Sequence, residues 1–272
     1  MARVPRATLS VVVIARNEER NLGRCLDSVA WAEERIVVDG ESTDGTRQVA
    51  ERRGARVIVQ PWLGYRDQKN VAVDAATMDW VLSLDADEWL PEETAQEVRD
   101  ALENPRADVY RFARKTAVCG AFLRHTYGDD FQARLFRRGT ARFGGGEVHE
   151  RLVLPAGAPR EALRGPLLHR TYRSFSEYAA RMNRYSDLGA RSMAGRPVSL
   201  LRLALSPPLA FLKMYVLRGG FRDGVRGLVV AAGQAHYVLL KYAKHWEGQR
   251  RADPEFARLV PPTPEDPDPQ AR

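Results

Sequence analysis

The sequence predicts an α/β fold: a doubly wound, mostly parallel sheet with a mixed extension and a C-terminal helical region. Three observations predict it. As far as Asn104, short apolar, β-branched runs alternate with segments whose apolar residues recur every three or four positions, the pattern of parallel strands joined by crossover helices. Beyond Asn104, strand-like runs are separated by loops rich in Gly and Asp. After residue 173 the apolar residues return to helical spacing.

Four predicted strands form the parallel part of the sheet. Strands buried on both faces are apolar nearly throughout, and such runs occupy residues 9–14, 35–39, 55–60 and 80–84. We expect a helix after each strand. The first is indicated by the spacing of Leu22, Leu26 and Val29, and the second begins in the polar turn 40–46. The third and fourth occupy residues 64–77 and 91–103.

The remainder of the chain is predicted to extend the sheet and then to become helical. We expect strands at residues 109–113, 133–137 and 148–154, forming the second wall of a cleft. Helical segments follow at residues 173–194, 200–217 and 225–242, and Pro207 and Pro208 are expected to break the second of them. These patterns divide the chain into a sheet domain (1–155), a helical region (156–250) and a Pro-rich, disordered tail (251–272).

Composition and charge narrow the class of protein. The hydrophobic fraction of 44% and the charged fraction of 28% are those of a globular protein. Two cysteines, Cys25 and Cys119, offer no disulfide framework and suit a reducing cytosol. Residues 1–150 hold 22 Lys and Arg against 25 Asp and Glu, whereas residues 151–272 hold 20 against 10. The basic second part predicts an anionic partner, either nucleic acid or a lipid surface.

The fourth predicted strand ends in three acids within four residues, Asp85, Asp87 and Glu88. Open α/β sheets bind ligands at the carboxyl ends of their strands. Asp85 and Asp87 could therefore reach one Mg²⁺ or Mn²⁺, which is typically held by one or two carboxylates plus substrate phosphates. The alternative is a solvated acidic turn that leads into the helix beginning near Pro91, since helix N-termini attract acids.

Three motifs, in this order, resemble glycosyltransferase family 2. They are Val-Val-Val-Ile-Ala-Arg-Asn-Glu-Glu (11–19), Val-Val-Asp-Gly-Glu-Ser-Thr-Asp-Gly-Thr (37–46) and Leu-Asp-Ala-Asp-Glu (84–88). Further segments resemble the bacterial lipopolysaccharide-core β-glucosyltransferases of this family: residues 68–70, 134–138, 148–150 and 221–224. The resemblance covers about residues 8–245 and implies the GT-A fold. Glu41 departs from the family pattern, which carries a smaller residue there.

The resemblance implies a role for individual residues. Ala15, Arg16 and Glu18 would line the nucleoside pocket, and Asp39 would accept hydrogen bonds from the uracil or ribose of the donor. Lys69 would approach the diphosphate, although a solvated helix lysine is the competing interpretation. Asp85 would contribute to the nucleotide-sugar site, and Asp85 with Asp87 would hold the divalent metal.

An inverting displacement also needs a general base for the acceptor hydroxyl. The candidates are Asp129, Asp130, Glu147 and Glu150. We favour Glu150, which follows His149 at the start of a predicted strand. Asp130 is the second choice, because it lies between Tyr127 and Phe131, where desolvation would raise its pKa.

Taken together with these residues, the resemblance implies a metal-dependent inverting transferase whose donor is a UDP-sugar, with glucose as the expected sugar. Its acceptor would be a membrane-borne glycolipid or lipopolysaccharide-core saccharide, and the enzyme would act in the cytoplasm as a peripheral protein on the inner face of the cytoplasmic membrane. An anionic membrane surface would be a partner and nucleic acid would not. The basic C-terminal helices either lie in the lipid interface or form a packed lid.

Two rival classes fit less well. A nucleotidyltransferase also pairs an acidic metal site with an α/β sheet, but it usually has a Gly-rich loop after the first strand, and residues 15–19 contain no glycine. A non-enzymatic nucleic-acid-binding module would explain the basic second part. It would leave Asp39, Asp85 and Asp87 without a role.

Overall fold

A computed structural model describes residues 6–128, 130–145, 150–193, 195–251 and 253–259 of the chain. The protein folds into two compact units, Met1–Arg173 and Ser174–Arg272, here called the sheet unit and the helical unit. The boundary after Arg173 lies beyond the boundary expected at residues 155/156. The reason is that the strands at residues 160–162 and 167–172 pair with the sheet instead of leading into helices.

The first part of the sheet unit alternates strands and helices, as the sequence predicts. Its elements are β1 (Leu9–Ala15), α1 (Glu19–Asp27), β2 (Glu34–Asp39), α2 (Thr46–Arg52), β3 (Arg56–Val59), α3 (Tyr65–Asp74), β4 (Trp80–Asp85), β5 (Glu88–Trp89) and α4 (Glu92–Glu103). Strands follow in the remaining described residues of this unit: β6 (Val109–Val118), β7 (Ala121–Phe122), β8 (Asp130–Arg137), β9 (Arg142–Gly145), β10 (Glu150–Val153), β11 (Arg160–Ala162) and β12 (Leu167–Tyr172).

The main sheet has the order β3-β2-β1-β4-β8-β6-β12-β5, with β7 and β11 paired to β6. The first four strands are parallel, and β8 runs antiparallel to both β4 and β6. This confirms the predicted doubly wound sheet with a mixed extension. Because Ala15 is level with Asp39 of β2 and Ile14 with Asp85 of β4, the strand register puts both carboxylates at one edge, on either side of β1.

Apolar side chains fill both faces of the parallel strands. Along β1, Val11 and Val13 belong to the core that includes α1, α2 and α4, whereas Val12 and Ile14 belong to the core that includes α3. The side chains of a strand alternate between faces, and here both faces are covered. This is why the strands appear in the sequence as unbroken apolar runs.

The helical unit contains α5 (Phe175–Arg191), α6 (Leu200–Leu212), a π-helical turn (Lys213–Leu217), a 3-10 turn (Gly220–Asp223), α7 (Gly224–Arg250) and α8 (Pro254–Leu259). Both α5 and α6 pack on α7. Gly233 of α7 is needed for this packing, since a Cβ there would lie 2.1 Å from the ring of Tyr178, whose hydroxyl donates to the Val230 carbonyl at 2.9 Å.

One expectation for this unit needs correction. Pro207 and Pro208 do not break the second helical segment, because α6 continues through both. The fixed φ of proline is compatible with a helix, so the cost is lost hydrogen bonds without an end to the helix. Of the predicted disordered tail, residues 251–272, the structure describes residues 251 and 253–259, which include α8, and the other residues lie outside the described part.

Candidate functional site

Asp39 ends β2 as a fully buried carboxylate. Its Oδ2 atom accepts hydrogen bonds from the Ser42 amide at 3.0 Å and from Nε of Arg47 at 2.9 Å. Its Oδ1 atom is buried and has no partner among the described residues. An unsatisfied buried acceptor is costly, so this oxygen is a candidate hydrogen-bond acceptor for a ligand N–H or O–H.

The loops after β1 and β2 are joined to each other beside Asp39. The Asn17 amide donates to Oγ of Ser42 at 2.9 Å, the Thr43 amide donates to Oδ1 of Asn17 at 2.8 Å, and the Glu18 amide donates to Oγ1 of Thr46 at 2.8 Å. Asn17 has a positive φ of 58°, which a non-glycine residue rarely adopts. These bonds fix the backbone of the predicted nucleoside pocket.

The predicted pocket residues differ in exposure. Ala15 is buried, Glu18 is partly buried and Arg16 is exposed. The Ala15 carbonyl accepts from the Gly40 amide at 2.8 Å, which ties the end of β1 to the end of β2. Glu41, the departure from the family pattern, is exposed and has a φ of 60°.

A chain of alternating charges lies at the end of β4. Nζ of Lys69, a side chain only 3% exposed, contacts Oδ1 of Asp85 at 2.8 Å and Oε1 of Glu150 at 2.9 Å. Arg134 donates to Oδ2 of Asp85 at 2.6 Å and to Oε1 of the fully buried Glu88 at 2.7 Å. The fold therefore brings together three predicted site residues, Lys69, Asp85 and Glu150, and adds two that the sequence analysis did not assign to the site.

These contacts set the charge states of the two central groups. Burial alone raises the pKa of Asp85, but the charges of Arg134 and Lys69 outweigh it and hold that pKa well below the usual range of a carboxyl. Burial alone lowers the pKa of Arg134, and the carboxylates of Asp85 and Glu88 raise it above its ordinary value. Both groups are charged at neutral pH.

Asp87 pairs with a histidine that the sequence analysis missed. Nε2 of His169 lies 3.2 Å from Oδ2 of Asp87, and Nδ1 of His169 lies 2.9 Å from Oγ1 of Thr171. The antiparallel pairing of β12 with β5 places His169 opposite Glu88. The sequence pattern predicts no strand at residues 167–172, and it therefore does not connect His169 with Asp87.

The family resemblance implies a divalent metal, and the side chains at this edge can be tested for it. Among the described residues there is no group of three or more His, Cys, Asp and Glu arranged to hold a metal ion. Metals that bind nucleotide diphosphates often take only one or two protein ligands and complete their coordination with phosphate oxygens and water. Asp87 and His169 fit that requirement. Asp85 uses both oxygens in ion pairs, and its predicted role as a ligand stays a prediction.

The two preferred general-base candidates lie in different surroundings. Asp130 has both oxygens engaged: Oδ2 accepts from Nε and Nη2 of Arg114 at 2.9 and 2.6 Å, and Oδ1 accepts from Gln132 at 2.6 Å. Oε1 of Glu150 contacts Nζ of Lys69, and the same Nζ contacts Asp85, so that Lys69 bridges the two carboxylates. The other candidates, Asp129 and Glu147, and the neighbouring His149 lie outside the described residues.

The buried charges make a stability prediction. Arg134→Met is expected to lower the free energy of unfolding by about 3–5 kcal/mol, the cost of leaving a buried charge without its partner. Glu88 would keep the Asp85 amide as a donor at 3.0 Å, but its remaining charged partner would be Arg114, at the longer distance of 3.5 Å. Chemical denaturation measures the change.

Arg142→Met is the matched control, because Arg142 pairs with Asp74 where the two side chains are 62% and 55% exposed. Exposed pairs contribute about 0–1 kcal/mol. If the two variants lost the same small amount of stability, the Arg134 network would not be stabilising the sheet unit.

The described fold, with carboxylates at the carboxyl ends of its central parallel strands, is that of a GT-A-type glycosyltransferase. The chain belongs to glycosyltransferase family 2: the family described as "Glycosyl transferase family 2" matches residues 10–164. A relative in Rhizobium meliloti, the lipopolysaccharide core biosynthesis glycosyltransferase LpsC, is 31% identical over 254 residues, which are 90% of this chain and 94% of the relative. An uncharacterized glycosyltransferase of Rickettsia prowazekii is 30% identical over 87% of this chain and 86% of its own length.

Solved structures resemble the chain more distantly. The structure of S. aureus TarS in complex with UDP has a TM-score of 0.45 and 16% identity, covering 90% of each chain. A glucosyl-3-phosphoglycerate synthase from Mycobacterium tuberculosis, in complex with Mn²⁺, UDP and glucosyl-3-phosphoglycerate, has a TM-score of 0.44 and 21% identity over 71% of this chain and 82% of its own.

Proposed function

We propose that this glycosyltransferase moves a sugar, with glucose as the expected one, from a UDP-sugar to a membrane-borne glycolipid or lipopolysaccharide-core saccharide, with inversion and with a divalent metal. The observation that carries the proposal is the arrangement of Asp39 and Asp85 on either side of β1. Asp39 has a buried oxygen with no partner among the described residues. Asp85 contacts Lys69, and Lys69 also contacts Glu150, the candidate base. Family membership favours this function over a nucleotidyltransferase.

The donor nucleoside is assigned to the edge formed by β1 and β2. Oδ1 of Asp39 would accept an N–H of the uracil or an O–H of the ribose, which would satisfy the acceptor that the protein leaves open. Ala15, Arg16 and Glu18 would surround the nucleoside, because the loop that carries them is joined to the loop after Asp39.

Asp39→Ala tests the nucleoside site. We expect the affinity for UDP, measured by calorimetry, to fall by about 1.5–3 kcal/mol, the range for a hydrogen bond to a charged group. Asp108→Ala, which removes a carboxylate from an exposed pair with Arg137, should leave the affinity unchanged. An Asp39 variant that bound UDP as tightly as the unchanged protein would place the nucleoside elsewhere.

The diphosphate is assigned to the neighbouring end of β4. Lys69 would supply positive charge to it, and Asp87 with His169 would hold the metal, whose chemistry is to stabilise the negative charge that develops on the departing diphosphate. Arg134 donates to the Asp85 carboxylate and Glu88 accepts from the Asp85 amide, and the two partners are joined by a buried hydrogen bond, so Asp85 is held in position. Asp85 in turn orients Lys69 toward the site.

Glu150 is assigned as the general base that takes the proton of the acceptor hydroxyl. Two contacts support the choice over Asp130. Glu150 adjoins the Asp85 end of the site through Lys69, whereas Asp130 is held by the guanidinium of Arg114 and by Gln132. A carboxylate whose oxygens are all engaged by donors is a poor proton acceptor.

The helical unit supports a membrane-borne acceptor. The segment Leu200–Leu217 is long and apolar enough to cross a membrane by length and composition, with a mean hydropathy of 1.4, and none of it is buried. Leucines exposed by about half or more recur along it at helical spacing: Leu201, Leu205, Leu209 and Leu212. Residues 200–246 carry seven Lys and Arg and one acid, Asp223. An apolar surface edged by positive charge is suited to the interface of an anionic bilayer.

Vesicle flotation tests this location. We expect binding to vesicles that contain anionic lipid, weaker binding to neutral vesicles and partial release in high salt, because salt screens the attraction of the basic residues. Replacing Arg218 and Arg222 by Gln should weaken binding, whereas the same change at the exposed Arg52 and Arg160 of the sheet unit should not. Protein that stays soluble with anionic vesicles at low salt would contradict the proposed location.

A further inference from the structure

Two arginines of the sheet unit lie over the ring of one tryptophan near the candidate metal ligands. The guanidinium carbon of Arg24, on α1, lies 4.9 Å from the ring centroid of Trp89, and that of Arg170, on β12, lies 5.6 Å from it. Trp89 follows Asp87 by two positions, and the Arg170 amide donates to the Asp87 carbonyl at 2.9 Å. Trp89 and Arg170 are therefore close to Asp87 and His169 in the chain, and a backbone hydrogen bond joins the two strands between them.

A second tryptophan of the sheet unit is contacted by two arginines in the same way, with one difference. Trp31 is contacted by the guanidinium groups of Arg6 and Arg99, at 5.8 and 5.0 Å from its ring centroid. Each of those arginines pairs with a carboxylate, Arg6 with Glu33 and Arg99 with Glu92. In the described part of the chain, neither Arg24 nor Arg170 has a carboxylate or any other side-chain hydrogen-bond partner. Carboxylates therefore balance the positive charge of the two arginines at Trp31, whereas no ion pair balances the charge of the two arginines at Trp89 among the described residues.

Uncompensated positive charge is concentrated at Trp89. The charges of Arg24 and Arg173 both act on Arg170. Arg173 itself donates to Oδ1 of Asn21 at 2.7 Å, so it adds charge next to the cluster while holding another partner. Mutual repulsion of this kind is relieved when an anion binds between the charges.

The geometry also leaves the arginines able to bind an anion. Both guanidinium groups lie over the Trp89 ring, and among the described residues neither spends an N–H donor on another side chain. Those donors match the two oxygens of a carboxylate or phosphate. The indole ring restrains both side chains, so less conformational entropy is lost on binding.

We propose that Arg24 and Arg170, held by Trp89, bind a carboxylate or phosphate group of an anionic acceptor saccharide. The inference rests on the proposed function, because it assigns the group to the acceptor. Neighbouring residues of a strand point to opposite faces, so Arg170 faces away from His169 and the anion lies remote from the reacting hydroxyl. Binding at such a remote point helps to position the hydroxyl for transfer.

The test measures binding of small probes to the full chain, without any need for transfer. Methyl glucuronide, methyl glucoside, glucose 6-phosphate and inorganic phosphate are titrated by nuclear magnetic resonance. We expect the two anionic sugars to bind and the neutral glucoside to bind at least about tenfold more weakly, as expected for the loss of a charge-assisted hydrogen bond. Arg24→Ala with Arg170→Ala should weaken the anionic sugars by a similar factor, and the double replacement by Lys should recover only part of the binding, since Lys lacks the forked donors.

The control is the double variant Arg6→Ala with Arg99→Ala, which removes the same charge from the cluster at Trp31 and should not change binding of the probes. Three results would each overturn the inference: equal binding of glucuronide and glucoside, equal losses in the two double variants, or free phosphate binding as tightly as the anionic sugars, which would indicate a free-anion site. UDP is titrated in parallel. Failure of the unchanged protein to bind UDP would contradict the proposed function, while the comparison of glucuronide with glucoside would still decide whether the anion site exists.

Discussion

Asp87→Asn is expected to abolish sugar transfer while the protein stays folded. Asp87 contributes the carboxylate of the two proposed metal ligands, with His169 as the other, and the structure shows no third His, Cys, Asp or Glu grouped with them among the described residues. Asparagine keeps the size of the side chain but removes its charge. The variant should lose the charge that balances the metal, and with it most of the metal affinity.

Two measurements check this expectation. Release of UDP from UDP-glucose reports turnover, and calorimetry with UDP in the presence and absence of Mn²⁺ reports metal-assisted donor binding. The Mn²⁺ effect should vanish in the Asp87 variant and be reduced in His169→Gln. Asp74→Asn, which changes an exposed carboxylate paired with Arg142, is the control. Full activity of the Asp87 variant in EDTA would show that the reaction needs no metal at this position.

The parallel half of the fold was predictable because burial on both faces leaves a simple trace in the sequence. The residues of β1, β2 and β4 are mostly apolar on both faces of each strand. Their sequences therefore predict buried strands of a parallel sheet, with a helix after each strand. The acids Asp39 and Asp85 stood out for the same reason, as charges at the ends of apolar strands. The fold then placed both at one edge.

The sequence of β12 does not show the apolar pattern of a buried strand. Its central residues are only partly buried, and its sequence, Leu-Leu-His-Arg-Thr-Tyr, mixes apolar, charged and hydroxyl side chains. Pairing with β6 and β5, not composition, makes it a strand. His169 and Arg170 were therefore missed, along with the metal pair and the arginine cluster to which they belong.

The burial of Lys69 could not be predicted from the spacing of residues along its helix. A lysine on a helix is usually solvated, but here the side chain is buried by carboxylates from two other elements, one of them 81 positions away in the sequence. Contacts of that separation depend on the whole fold. The sequence could bring Lys69 into the site only through the family resemblance, and the structure supplies the physical reason for its burial.

Glu150→Gln is expected to lower the rate of transfer by about 10²–10⁴, the usual contribution of a general base. The amide of glutamine cannot take the acceptor proton, although it can still accept a hydrogen bond from Lys69. Because Lys69 keeps Asp85 as its partner, the affinity for UDP should change little. A fall in kcat with an unchanged affinity for UDP is the signature of a group that acts in the chemical step.

Asp130→Asn separates the two candidates for the base. Asp130 is bound by Arg114 and Gln132, so we expect its loss to affect stability more than kcat. Both variants are compared by release of UDP from UDP-glucose with a truncated lipopolysaccharide-core acceptor, alongside thermal unfolding. If Asp130→Asn lost the activity and Glu150→Gln retained it, the roles would be exchanged, and Arg114 would have to release Asp130 when the acceptor binds.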